Sequence, residues 1–105
     1  MTYKAKLSEL AEDDLEEIIQ YYCEELFIPQ SAKRFYKAVL KQIDLISDNP
    51  YMYPLHHDNK LYLEGYRFVV INKYLMFYIV DDDNTAVTIV RLIYGGRNLD
   101  EMFDN

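Results

Sequence analysis

The stretch that decides the fold runs from Tyr66 to Gly96: YRFVVINKYLMFYIVDDDNTAVTIVRLIYGG. It contains three runs rich in β-branched and aromatic residues, at 66–71, 74–80 and 85–93. Asn72-Lys73 separates the first two, and Asp81-Asp82-Asp83-Asn84 the second pair. Val, Ile, Tyr and Phe suit a pleated, half-buried surface, and short polar links of this kind make tight reversals. The segment therefore predicts an antiparallel meander, ended by Gly95-Gly96. Alternation along the last strand places Val87, Ile89, Arg91 and Ile93 on one face and Ala86, Thr88, Val90 and Leu92 on the other. Both faces are largely apolar.

Upstream of the strands the period changes from two to that of a helix. Ser8 stands at an N-cap position, and Glu9, Glu12, Asp13 and Asp14 follow, where a helix dipole favours carboxylates. Ala11, Leu15, Ile18, Ile19 and Tyr22 form one apolar stripe on an otherwise acidic helix. Phe27-Ile28-Pro29 interrupts it, and Pro29 suits the first turn of a second helix. That helix carries the stripe Ala32, Phe35, Val39, Ile43, Ile46, with Lys33, Arg34, Lys37 and Lys41 on its polar side. Asn49-Pro50 stops it. Residues 3–7 alternate weakly and read as a short strand. Residues 50–59 read as an ordered loop, with the period-two pattern resuming at Leu61-Tyr62-Leu63 before a turn at Glu64-Gly65.

The expected fold is α+β, one domain over residues 1–105. A short N-terminal strand and an antiparallel helix pair pack on one face of the C-terminal meander. Helices can cover only one face of such a sheet. The other is expected to be a groove, an oligomer contact or a partner site.

Composition limits the function. Half of the 105 residues are hydrophobic and only six are Gly or Pro, which excludes a disordered or low-complexity chain. No apolar run reaches the length of a bilayer span, and the N-terminus lacks the apolar core of a signal peptide. A single cysteine, Cys23, cannot form an internal disulfide, so a reducing, cytoplasmic setting is expected, without membrane contact. The net charge of −7 disfavours long-range attraction to nucleic acid.

Gly65-Tyr66-Arg67-Phe68-Val69-Val70, Tyr74 to Asp81, and Ile89 to Asn98 resemble the C-terminal half of RelE/ParE toxins, the toxin halves of bacterial type II toxin–antitoxin pairs. Ala11-Glu12-Asp13-Asp14-Leu15-Glu16-Glu17-Ile18 and Pro29-Gln30-Ser31-Ala32 resemble the first half, and the order of elements agrees. The resemblance implies a cognate antitoxin as partner. The expected target that follows from it is ribosome-bound mRNA, cleaved without a metal; the alternative is DNA gyrase, bound and poisoned without nuclease chemistry. A catalytically inert homologue that only binds antitoxin is a third reading.

Metal-free RNA cleavage requires a base for the 2′-hydroxyl, an acid for the leaving oxygen, and cations for the phosphorane-like transition state. Arginine suits the last role, because its planar fork matches phosphate oxygens. The resemblance matches Arg67 and Arg97 to phosphate-binding arginines. Tyr94 is the nearest candidate acid or base, because the position where RelE-like nucleases carry a C-terminal Tyr or His holds Phe103. Arg91 and His57 are candidate substrate-binding residues. No cofactor is implied, and no ligand spacing for a metal appears.

Overall fold

A computed structural model describes residues 2–96. The chain forms strand β1 (Lys4–Leu7), helix α1 (Glu9–Gln20), a π-helical turn (Tyr21–Glu25), helix α2 (Pro29–Asp48), a short helix α3 (Asn59–Leu63), and strands β2 (Arg67–Ile71), β3 (Tyr74–Asp81) and β4 (Ala86–Tyr94). The sheet order is β1-β4-β3-β2. β1 runs parallel to β4, and the remaining pairs are antiparallel. The α+β arrangement expected from the sequence is present, and no described helix is long and apolar enough to cross a membrane.

The main core lies between the helix pair and the sheet. Ala11 and Ile18 of α1 and Phe35, Val39 and Ile46 of α2 meet Val69, Ile71, Met76, Tyr78, Val87, Ile89 and Leu92. Helix residues in this core recur at helical spacing, and each stripe faces the sheet. Ser8 fixes where α1 starts. Its Oγ accepts from Ala11 N–H at 3.0 Å and donates to the carbonyl of Val90 at 2.8 Å. Its own N–H donates to Ile89 O. The cap therefore also satisfies the edge of β4 just beyond β1. Ser8→Ala is expected to cost about 1–2 kcal/mol, readable as a lowered urea midpoint, because both a cap and a strand contact are lost. An unchanged midpoint would remove this role.

β4 departs from simple alternation. Phe77 pairs with Arg91 and Tyr78 with Ile89, so Val90 is an extra residue, a β-bulge. Val87 and Ile89 face the helices as one set. The bulge then brings Leu92 to that side and sends Ile93 to the other, where it meets Leu61 and Phe77. The face assignment expected for Arg91 to Ile93 is thus corrected, because the extra residue shifts the two-residue period.

The second face of the sheet is also not left bare, as had been expected. Residues 56–66 fold back over it. Leu61 is buried with Phe77 and Ile93, while Tyr66, Phe68 and Leu75 pack around them. The expected period-two pattern at Leu61-Tyr62-Leu63 is in fact α3. The carboxylate of Asp58 accepts from Lys60 N–H and Leu61 N–H at 3.1 and 3.3 Å and starts this turn. Gly65 ends it with φ of 83°, a conformation that L side chains rarely adopt. Leu63 and Val70 remain exposed beside this cover.

Candidate functional site

The structure distributes the expected site residues around the sheet. Arg67 opens β2 opposite Tyr78. One Nη of its guanidinium donates to the carbonyl of Tyr53 at 2.7 Å, and its Cζ lies 4.7 Å from the centre of the Tyr51 ring. The Tyr51 hydroxyl donates to Asp82, as does that of Tyr3 at 2.7 Å. These two phenols hold the Asp82 carboxyl below its ordinary pKa. Beneath them the buried Tyr78 hydroxyl donates to Pro50 O at 2.8 Å, and its pKa is pushed up to about 12, chiefly by burial. Arg67 is therefore held at the end of the sheet where the segment after α2 crosses β2.

Tyr94 lies at the other end. It pairs with Tyr74 at the start of β3, four residues from Tyr78 along that strand. At roughly 3.3 Å per residue, Arg67 and Tyr94 are about 13 Å apart along the strand direction, with β3 between them. Arg91 is bound to Asp14 of α1. Its Nε and Nη2 donate to the two carboxylate oxygens at 2.7 and 2.9 Å, both side chains being only 12% exposed. Asp14 also accepts from Leu92 N–H at 3.0 Å. β1 has ended by this point, so the carboxylate takes the place of a neighbouring strand. Nothing in the sequence singles out Asp14 from the other carboxylates of α1, so this pairing was not foreseen. Arg97 and Phe103 lie outside the described residues.

His57 is exposed in the segment before α3. Its ring stacks on that of His56 at 4.4 Å. His56 is buried, packed edge-on to Phe68, and accepts at Nδ1 from Asp58 N–H at 3.0 Å. Burial, and then His57, lower the pKa of His56 below 6.5, while Asp58 opposes them. A histidine kept neutral when folded contributes stability above its unfolded pKa and loses it as pH falls through about 6.5. The urea midpoint is expected to respond to a drop from pH 7.5 to 5.5 more adversely in the natural chain than in His56→Gln. Identical responses would contradict this assignment. Among the described residues no group of three His, Cys, Asp or Glu side chains could hold a metal.

A two-part concavity lies between α1 and the Tyr94 end of the sheet. One part, about 460 Å³, is lined by Asp14, Glu17, Ile18, Tyr21, Tyr74, Leu92 and Tyr94. An adjoining part, about 510 Å³, shares Tyr21, Tyr74 and Tyr94 and adds Tyr22, Leu26, Asn72 and Lys73. The π-helical turn builds one wall: Leu26 N–H donates to Tyr21 O, five residues back. Such turns interrupt α-helices at functional sites in many proteins. Here it lets the adjacent Tyr21 and Tyr22 both line the same hollow. The sequence marks the break at Phe27-Ile28-Pro29 but carries no signal for this turn.

The comparisons agree with this architecture. The family described as the ParE toxin of type II toxin–antitoxin systems, parDE, matches residues 5–99. The chain belongs to that family. Its fold is similar to a chain of the RelBE2 toxin–antitoxin complex from Mycobacterium tuberculosis, with TM-score 0.66 and 21% identity over 90% of this chain and 99% of that one. It is also similar to a chain of the chromosomal ParDE system from P. aeruginosa, with TM-score 0.69 and 16% identity over 89% and 96%. No curated protein sequence matches it. The chain is thus the toxin component of a type II toxin–antitoxin pair.

Proposed function

We propose that this toxin acts in the cytoplasm by binding its target, as ParE-like toxins bind DNA gyrase, rather than by cutting RNA. The observation that carries the reading is the separation of the candidate groups. Arg67 stands opposite Tyr78 in the middle of β3 and Tyr94 opposite Tyr74 at its start, about 13 Å apart along the strand direction, and Arg91 is committed to Asp14. Transition-state stabilisation of RNA cleavage requires cations and a proton-transfer group around one phosphate. A binding toxin requires only complementary surface. The net charge of −7 also favours a protein target over RNA. The similar structures come from toxin–antitoxin complexes, which supports a cognate antitoxin as the silencing partner.

The nuclease reading rests on Arg67 and Arg97, matched by resemblance to phosphate-binding positions, with Tyr94, Arg91 and His57 as accessory groups. One experiment separates the two. Purified toxin is added to gyrase supercoiling plasmid DNA and, separately, to ribosomes translating a defined mRNA. Loss of supercoiling with intact mRNA is expected. Cleaved mRNA, abolished by Arg67→Ala or Arg97→Ala, with gyrase unaffected, would replace the proposal by the nuclease reading.

A further inference from the structure

The cleft at the Tyr94 end has a chemistry that the choice of target does not use. Its aromatic rings form a continuous series. Tyr21 meets Tyr22 at 6.3 Å, Tyr22 meets Phe35 at 6.0 Å, Phe35 meets Tyr74 at 5.3 Å, and Tyr74 meets Tyr94 at 5.7 Å with the planes 76° apart. Tyr21 and Tyr94 are nearly half exposed, so part of each ring is open to a ligand. The charge around these rings is mostly negative. Asp14 is taken up by Arg91, whose charge also acts on Glu17, but Glu17 remains exposed in the lining, and Glu24 and Glu25 flank Tyr21 in a neighbouring hollow. Lys73 is the one cation among the described lining residues.

We propose that this cleft receives an arginine or lysine side chain from a basic segment of the cognate antitoxin. The proposal rests on the reading of the chain as a toxin silenced by such a partner. The face of a tyrosine ring attracts a cation, and guanidinium in particular stacks on aromatic faces. Glu17 supplies the charge-assisted hydrogen bond that orients the head group. The volume suits a whole side chain with its aliphatic stem, which Ile18, Leu26 and Leu92 can cover. An acidic segment would face Glu17, Glu24 and Glu25. The chain's own last nine residues have that unsuitable sign, with Asp100, Glu101 and Asp104 against Arg97. The acidity of this toxin thus acquires a location and a use: it selects a partner segment that is basic where it enters the cleft.

The test is titration of the purified toxin with the antitoxin encoded beside its gene, at one fixed salt concentration. Tyr94→Ala and Glu17→Lys are each expected to weaken binding by about tenfold or more. Tyr94→Phe, which keeps the ring, is expected to bind within about twofold of the natural chain. Glu9→Lys makes the same charge change on α1 away from the cleft and is expected to have little effect. An antitoxin whose lysines and arginines in the toxin-binding segment are replaced by glutamine should lose affinity for the natural toxin but little further for Tyr94→Ala. Circular dichroism confirms that each variant is folded. Natural affinity in both Tyr94→Ala and Glu17→Lys would overturn the cleft assignment and leave the toxin–antitoxin reading standing. So would an equal loss in Glu9→Lys and Glu17→Lys, which would reduce the effect to net charge. A natural chain that binds no antitoxin would overturn that reading and the proposal with it.

Discussion

Phe35→Ala is expected to destabilise the toxin by about 4 kcal/mol, among the largest losses a single truncation in its core can cause. Phe35 is fully buried and joins three elements: its ring touches Tyr22 of the π-helical turn and Tyr74 of β3 while it sits on α2. Truncation removes the apolar transfer energy and leaves a space that two tethered tyrosines cannot readily fill. A domain of this size has roughly 5–15 kcal/mol of stability in all, so the loss is a large fraction. The melting temperature should fall by about 15–25 °C, read by thermal circular dichroism. Phe35→Leu, closer in volume, should recover more than half of the loss. A fall of only a few degrees for Phe35→Ala would mean that Tyr22 and Tyr74 close the gap without cost, and that the ring series is not a packed unit.

Asp14→Asn is expected to cost about 3 kcal/mol. The substitution nearly preserves shape, yet it removes the carboxylate charge that both guanidinium nitrogens of Arg91 hold in a position only 12% exposed. It also weakens the acceptor for Leu92 N–H. Arg91→Met should cost a similar amount, because it strands the carboxylate. The two costs should not add. Asp14→Leu combined with Arg91→Met removes both charges and should be more stable than the less stable single variant. Urea midpoints of the four proteins give the coupling directly. Strict additivity would show that the pair is a solvated surface contact and not the fastening that holds α1 to the edge of β4 beyond β1.

Periodicity made the long elements legible. The stripes that include Ala11, Ile18, Phe35, Val39 and Ile46 contain the helix residues of the core, and Ser8 and Pro29 mark the helix starts. Three β-rich runs with short polar links became β2, β3 and β4. What escaped was information held in single residues or in tertiary partners. Helix α3 is five residues long, too short for a period, and depends on one cap at Asp58. The bulge at Val90 leaves no compositional mark, yet it reassigns the faces of Leu92 and Ile93. Arg91 read as a cation free to meet a phosphate, because choosing Asp14 as its partner requires knowing that β1 stops at Leu7 and exposes the edge of β4 beside α1. The cleft was hidden for the same reason. Its tyrosines come from positions more than fifty residues apart, and only the turn at Tyr21–Glu25 brings them together.

Induction of the gene in growing bacteria, with chromosomal breaks and mRNA followed in the same culture, tests the central claim most directly. A toxin that works by occupying a protein surface should cause DNA breaks to accumulate while mRNA stays intact, and gyrase recovered from the cells should carry the toxin. Ribosome-dependent fragments of mRNA appearing before any DNA break would contradict that account.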